Sequence, residues 1–157
     1  MSDSLIARLT LDDLRELLQR AGYRVEAATD PVAAIPYLRS ATSGLGFDIR
    51  PGSRLAGEGE AQFADVAFVC VLQIVGELPA DLINGWNVAR RFARLQRGGS
   101  FVALCMDVSV VGGVTEAYLR AQIEIWDRLI QDLVVYLREG LREQAVATES
   151  PAPASVA

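Results

Sequence analysis

Seven consecutive apolar residues, Val66 to Leu72, constrain the fold of this chain more than any other stretch. A membrane-spanning helix needs about 20 such residues, so a run of this length reads as a buried strand. Across Phe63 to Val75 the even positions Val66, Phe68, Cys70, Leu72 and Ile74 are all apolar, which matches one buried face. The odd positions include Ala67, Val69 and Val71, so the second face is also apolar and calls for cover. A chain of 157 residues supports one domain with a usable core and little more. Part of that second cover is therefore expected from another subunit, with Ala67, Val69 and Val71 as the candidate dimer or partner face.

The neighbouring segments supply the other layers. Thr10-Leu11-Asp12-Asp13 is a capping box that opens a helix with an apolar stripe of Leu11, Leu14, Leu17, Leu18 and Ala21. Gly22 sits at its left-handed stop. Tyr23 to Ala27 alternates until Asp30-Pro31, and Ile35 to Thr42 with Leu45 to Arg50 flank Ser43-Gly44 as a hairpin. Pro51 to Glu60, with three glycines, reads as an exposed loop. Pro79 and Asp81 open a second helix, expected to end near Phe92. Ala93 to Arg97 and Phe101 to Val108 are expected to pair around Gly98-Gly99.

Thr115 then caps a long helix over about 116–144, whose seam is Leu119, Ile123, Trp126, Ile130, Leu133, Leu137 and Leu141. Tyr118, Ile125, Leu129 and Tyr136 widen that stripe beyond what one small sheet edge needs. Strands grouped rather than alternating with helices give an α+β class: an antiparallel β-sheet flanked by helices, in the order α-β-β-β(-β)-α-β-β-α. The expected organisation is a flexible segment over 1–8, one domain over 9–145 and a disordered Ala/Pro/Ser tail over 146–157.

Composition removes several function classes. The chain has no His and no Lys, and all 15 basic residues are Arg. The commonest general base near neutral pH and the commonest metal ligand are both missing. Cys70 and Cys105 are the only thiols, too few for a zinc set, and they are expected to be reduced and buried. A net charge of −5 offers no global attraction for nucleic acid or anionic lipid. The mean hydropathy of +0.23 is high, but no apolar run approaches a membrane span. The N-terminus carries Asp3 early, with no positive patch and no apolar signal core, so a cytoplasmic location is expected. No cofactor is expected, and no nucleophile–base pair or phosphate loop can be assembled, so the chain reads as a non-enzyme.

Several residues stand out as candidates for binding. Arg90, Arg91, Arg94 and Arg97 lie in a stretch, Leu82 to Met106, that contains no acid. They suit docking of an acidic partner segment, since guanidinium groups fork onto carboxylates; the plainer alternative is a solvated face or pairing with Asp12, Asp13 and Glu16. Trp86, Asn87 and Trp126 read as structural anchors, with Asn87 tying its helix to nearby backbone. Asp48, Asp65 and Asp107 fall within expected strands, and period-two geometry puts Asp65 and Asp107 on the outer or interface face, as solvated acids.

Three stretches carry a family resemblance. Ile83-Asn84-Gly85-Trp86-Asn87 runs into Arg91-Phe92-Ala93-Arg94; Met106-Asp107-Val108 precedes Gly112-Gly113-Val114-Thr115; and Tyr118-Leu119-Arg120 leads to Trp126. Together with Leu9-Thr10 through Gly22-Tyr23, they resemble the YbjN family of bacterial sensory transduction regulators over roughly residues 9–138. The chain departs from that pattern at Cys105, Ser109 and Val111, where acidic or polar residues are expected. The resemblance implies the fold of type III secretion chaperones: a twisted antiparallel sheet flanked by helices, usually in a homodimer, non-catalytic and binding partner polypeptides. It also implies roles in stress response and regulation. The expected function is thus a dimeric adaptor or chaperone-like protein that binds another polypeptide. The alternative is a regulatory domain with a small-molecule pocket between helix and sheet.

Overall fold

The computed structural model describes residues 4–149. Its elements are α1 (Leu11–Arg20), β1 (Glu26–Thr29), β2 (Pro36–Thr42), β3 (Leu45–Pro51), β4 (Asp65–Gln73), α2 (Ala80–Ala89), β5 (Arg94–Gly98), β6 (Phe101–Ser109) and α3 (Glu116–Glu149). Six strands form one antiparallel sheet in the order β1-β2-β3-β4-β6-β5. The α+β class and the element order follow the sequence pattern.

Local chemistry sets the boundaries. The Thr10 hydroxyl accepts from the Asp13 N–H at 3.0 Å, and the Asp13 carboxylate accepts from the Thr10 N–H at 3.0 Å, so α1 opens on a reciprocal cap. At its other end Gly22 takes φ +97°, which lets the Gly22 and Tyr23 N–H groups close back onto Gln19 and Leu18. The β2–β3 hairpin turns at Ser43 and Gly44, as the sequence indicates.

Two boundaries differ from expectation. α2 ends at Ala89 rather than near Phe92, because Arg90 already adopts extended backbone. The β5–β6 turn is Gly99-Ser100 rather than Gly98-Gly99, since Gly98 still pairs with Phe101. The segment before α1, expected to be flexible, is tied down at Ile6, which exchanges two backbone hydrogen bonds with Val114. The expected tail begins inside α3, which continues to Glu149; residues 150–157 of that tail lie outside the described residues.

One core cluster joins all three helices to one face of the sheet. Leu14, Leu17 and Leu18 of α1, Trp86 of α2, and Leu119, Ile123, Trp126, Ile130 and Leu133 of α3 pack against Leu38, Phe47, Ile49, Phe68, Leu104 and Met106. Trp126 lies between Phe47 and Phe68, with ring centroids 5.8 and 5.6 Å away. The wide stripe on α3 is largely consumed here. Leu129 is buried, Ile125, Tyr136 and Leu137 are half-buried, and only Tyr118 and Leu141 of the two stripes stay exposed. The helix therefore needs less outside cover than its sequence indicates, because strands β2 to β6 and the two other helices share its core.

α2 docks on α3 by close approach. A Cβ on Gly85 would sit 2.9 Å from the Tyr136 hydroxyl, which donates to the Leu82 carbonyl. The Arg90 guanidinium stacks on both the Trp86 ring (4.2 Å) and the Tyr136 ring (4.8 Å). Asn87 does a further job. Its amide donates to the Leu95 carbonyl and accepts from the Leu95 N–H, each at 2.8 Å. Leu95 lies on β5, an edge strand, so this side chain occupies the place a further strand would take. Asn87→Ala is expected to cost about 1–2 kcal/mol in urea denaturation, at about 1 kcal/mol per hydrogen bond. Light scattering on warming should rise as well, because the edge becomes free to pair.

Candidate functional site

The face of the sheet opposite the helices is built by the odd positions of β2, β4 and β6 and the even positions of β3 and β5. The register aligns Arg39, Asp48, Val69, Cys105 and Arg94 in one row across five strands. The next row runs Arg50, Ala67 and Asp107, and further along β4 Val71 pairs with Ala103. No helix among the described residues covers this face. Its centre is apolar: Ala67 and Val69 are half-buried, Val71 is 47% exposed and Phe101 is 38% exposed. The expected partner face, Ala67, Val69 and Val71, thus forms a contiguous line along β4.

Charges of both signs rim that line. Tyr37 is buried under two guanidinium groups, Arg50 at 4.2 Å and Arg39 at 5.4 Å from its ring. Asp48 holds both arginines, at 3.4 Å to Arg39 and 3.3 Å to Arg50, and Arg50 reaches Asp30 at 3.5 Å. On the far side Arg94 pairs with Asp107 at 2.8 Å, which raises the guanidinium above its ordinary value. The three strand acids do not converge. Asp48 and Asp107 each face an arginine, and Asp65 accepts from the Ser53 N–H at 3.0 Å. Clefts of about 360 Å³ beside Gly46 and Val71 and about 480 Å³ beside Ala67 and Asp107 indent the two ends of the face.

The four arginines of the acid-free stretch are dispersed rather than gathered. Arg90 is the stacked residue on α2, Arg94 belongs to the open face, and Arg97 donates to the Leu78 carbonyl at 3.2 Å. Arg91 is exposed and makes no ion pair among the described residues; none of the four pairs with Asp12, Asp13 or Glu16 there. Beside Arg91 stands a residue that sequence reasoning passed over. Phe92 is 67% exposed and holds φ +77°, a left-handed conformation that costs a bulky side chain free energy. Val88, four residues earlier, is also exposed. Nothing in the sequence marks a phenylalanine for positive φ, so this corner is visible only in three dimensions.

Trp86 is fully buried and its indole N–H donates to the Ala93 carbonyl at 3.2 Å. Trp126 is fully buried as well, and its N–H has no partner within the aromatic cage. Cys70 faces the core and Cys105 the open face, so the two thiols lie on opposite sides of the sheet. Burial pushes the Cys70 thiol up to about 11 and raises Cys105 too, which keeps both protonated at neutral pH. Between α1, β2 and α3, burial and the neighbouring Asp127 carboxylate push Tyr23 up to about 12. Among the described residues no three His, Cys, Asp or Glu side chains are placed to hold a metal ion.

The chain belongs to the YbjN family, whose model, described as "Putative bacterial sensory transduction regulator", matches residues 10–139. No curated protein and no solved structure matches it. No helix among the described residues is long and apolar enough to cross a membrane.

Two solution tests follow from this geometry. Native protein should resist a thiol-specific reagent at mildly alkaline pH and yield both thiols only after unfolding. The second concerns Asp30, whose carboxylate is held below its ordinary value by the Ala33 and Val32 N–H groups, with Arg50 adding to it. A lowered folded-state value stabilises the protein above the ordinary carboxylate range, and that stabilisation is lost as pH falls through it. Asp30→Ala should therefore melt below the parent protein at neutral pH, and the gap should close on acidification.

Proposed function

We propose that this chain is a non-enzymatic, homodimeric adaptor of the chaperone-like kind that binds another polypeptide in the cytoplasm, in the service of bacterial sensory regulation or stress response. The observation that carries the reading is the sheet's bare second face, apolar at its centre and rimmed by both charges. The resemblance to the YbjN family, which implies the type III secretion chaperone fold of a twisted antiparallel sheet flanked by helices, supports the same reading. Chain-to-chain contact uses the open face. The foreign polypeptide docks at the corner after α2, where Phe92 and Val88 offer apolar contact and Arg91 orients an acidic segment.

Phe92 gives this reading a sharp test. In the free chain its ring stands in solvent while its backbone is strained, a combination that contributes nothing to folding. Phe92→Gly is expected to raise stability by about 1 kcal/mol, because glycine adopts positive φ without the Cβ penalty. The same variant, and Arg91→Glu, should lose polypeptides that co-purify with the parent protein from its native cells. Unchanged capture by both variants would overturn the docking corner.

The alternative reading is a small-molecule sensor. The packed aromatic cage fills the space between α3 and the sheet, but an open cleft of about 610 Å³ lies between the end of α1 and β2, lined by Tyr23, Arg24, Arg39 and Ser40 among others. A thermal shift with a metabolite set, abolished by Arg24→Ala, would favour this second reading.

A further inference from the structure

The segment ahead of α1 runs as a strap past the flank of that helix and the first turn of α3, and the three enclose a cleft of about 530 Å³. The function proposed above makes no use of it. Backbone hydrogen bonds fix the strap at two points. Ile6 exchanges a pair with Val114, at the entry to α3, at 2.7 and 2.9 Å, and Leu9 exchanges a pair with Phe63, at the entry to β4, at 2.9 and 2.8 Å. At the rim the Arg20 guanidinium meets the Glu116 carboxylate at 2.7 Å, which joins the end of α1 to the start of α3. The floor is apolar: Leu9, Leu17 and Leu119 are buried and Ile6 is half-buried. Small-ligand sites commonly have this size, about 300–1,000 Å³, with an apolar lining and a few polar groups that fix orientation.

The charges around the rim select the ligand. Asp13 is engaged by the cap of α1, where it accepts from the Thr10 N–H, and Arg20 and Glu116 neutralise each other. Two charges of opposite sign remain. Arg8 donates to the neutral Gln62 side chain at 3.1 Å and meets no carboxylate, and the Glu16 carboxylate meets no cation, among the described residues. A greasy floor with one unmatched guanidinium and one unmatched carboxylate complements a molecule that carries an ammonium, a carboxylate and an aliphatic body. A ligand of one sign would leave one of these rim charges unmatched and set its own charge beside the like one. We propose that this cleft binds a small apolar zwitterion, a free amino acid or dipeptide with aliphatic side chains. Its ammonium pairs with Glu16, its carboxylate with Arg8, and its side chain rests on Leu9, Leu17 and Leu119. Such a ligand bridges the strap to α1, so occupancy stabilises the fold. The site shares no residue with the docking corner at Phe92 or with the cleft beside Arg24, so it stands or falls apart from both.

Isothermal titration calorimetry and thermal melts on the full chain test the proposal, with L-leucine and leucyl-leucine as probes. Isoamylamine and isocaproate, which keep the aliphatic body but carry one charge each, are the controls. At least one zwitterion should bind with a Kd of about 1 mM or tighter and raise the melting temperature. Each control should bind about tenfold more weakly, because it lacks one charge-assisted contact. Glu16→Gln and Arg8→Gln, both at exposed positions, should leave the melt of the unliganded protein unchanged and weaken the zwitterion about tenfold each. Should Arg8→Gln loosen the strap and lower that melt, Glu16→Gln still decides the site. No saturable binding of either zwitterion overturns the proposal, and so does an amine or acid control that binds as tightly as the zwitterions. Binding that survives Glu16→Gln unchanged overturns the site, and its loss in Arg24→Ala would place the ligand beside β2 instead. Capture of polypeptides through Phe92 and Arg91 is read in a separate assay, so failure here leaves that reading standing.

Discussion

The seating of Trp126 between Phe47 and Phe68 is the contact on which the rest of this structure depends. It brings the middle of the longest helix down onto the two central strands β3 and β4, and it does so with the largest side chain available. Aromatic rings at this spacing contribute specific geometry as well as buried area, so α3 has one position and not a range of them. Once α3 is fixed, α1 and α2 have only its two flanks to occupy, and all helical cover falls on one side of the sheet.

The consequence is a sheet with two unlike faces. One is dry and continuous with the helical layer. The other is a mixed surface in which guanidinium groups shield Tyr37, ion pairs rim the margins and a line of small aliphatic residues is left bare along β4. Antiparallel sheets commonly tolerate one wet face, but such a face is normally polar at alternate positions. Here the polar residues flank an apolar line along β4. That distribution gives the face the anatomy of an interface, with an apolar centre and a charged margin.

Much of the architecture was legible because it is local. The cap at Thr10, the stop at Gly22, the Ser43-Gly44 turn and the even-position stripe of β4 each depend on residues within a few positions of one another. Errors arose where the deciding contact came from elsewhere. The helical pattern continues past Ala89, yet α2 stops there as the chain turns into β5, with Arg90 drawn onto Trp86 and Tyr136. Gly98-Gly99 has the composition of a two-residue turn, but the ladder between β5 and β6 takes Gly98 into the strand and passes the turn to Ser100.

By itself the sequence determined the fold class, the order of elements and the absence of histidine chemistry, since propensity, period and composition are properties of short segments or of the whole chain. It also marked Ala67, Val69 and Val71 as a second apolar face, because a period of two assigns sides without knowing what covers them. Only the tertiary structure decided which apolar surface remains uncovered. The stripe on α3 and the odd face of β4 look equally in need of a partner in sequence, and the core satisfies the helix while leaving the strand bare. It alone dispersed the four arginines to separate tasks, turned Phe92 outward and set Asp48 and Arg94 on either side of Val69 and Cys105 in one row. Those outcomes rest on register and packing between segments up to a hundred residues apart, which no local pattern encodes.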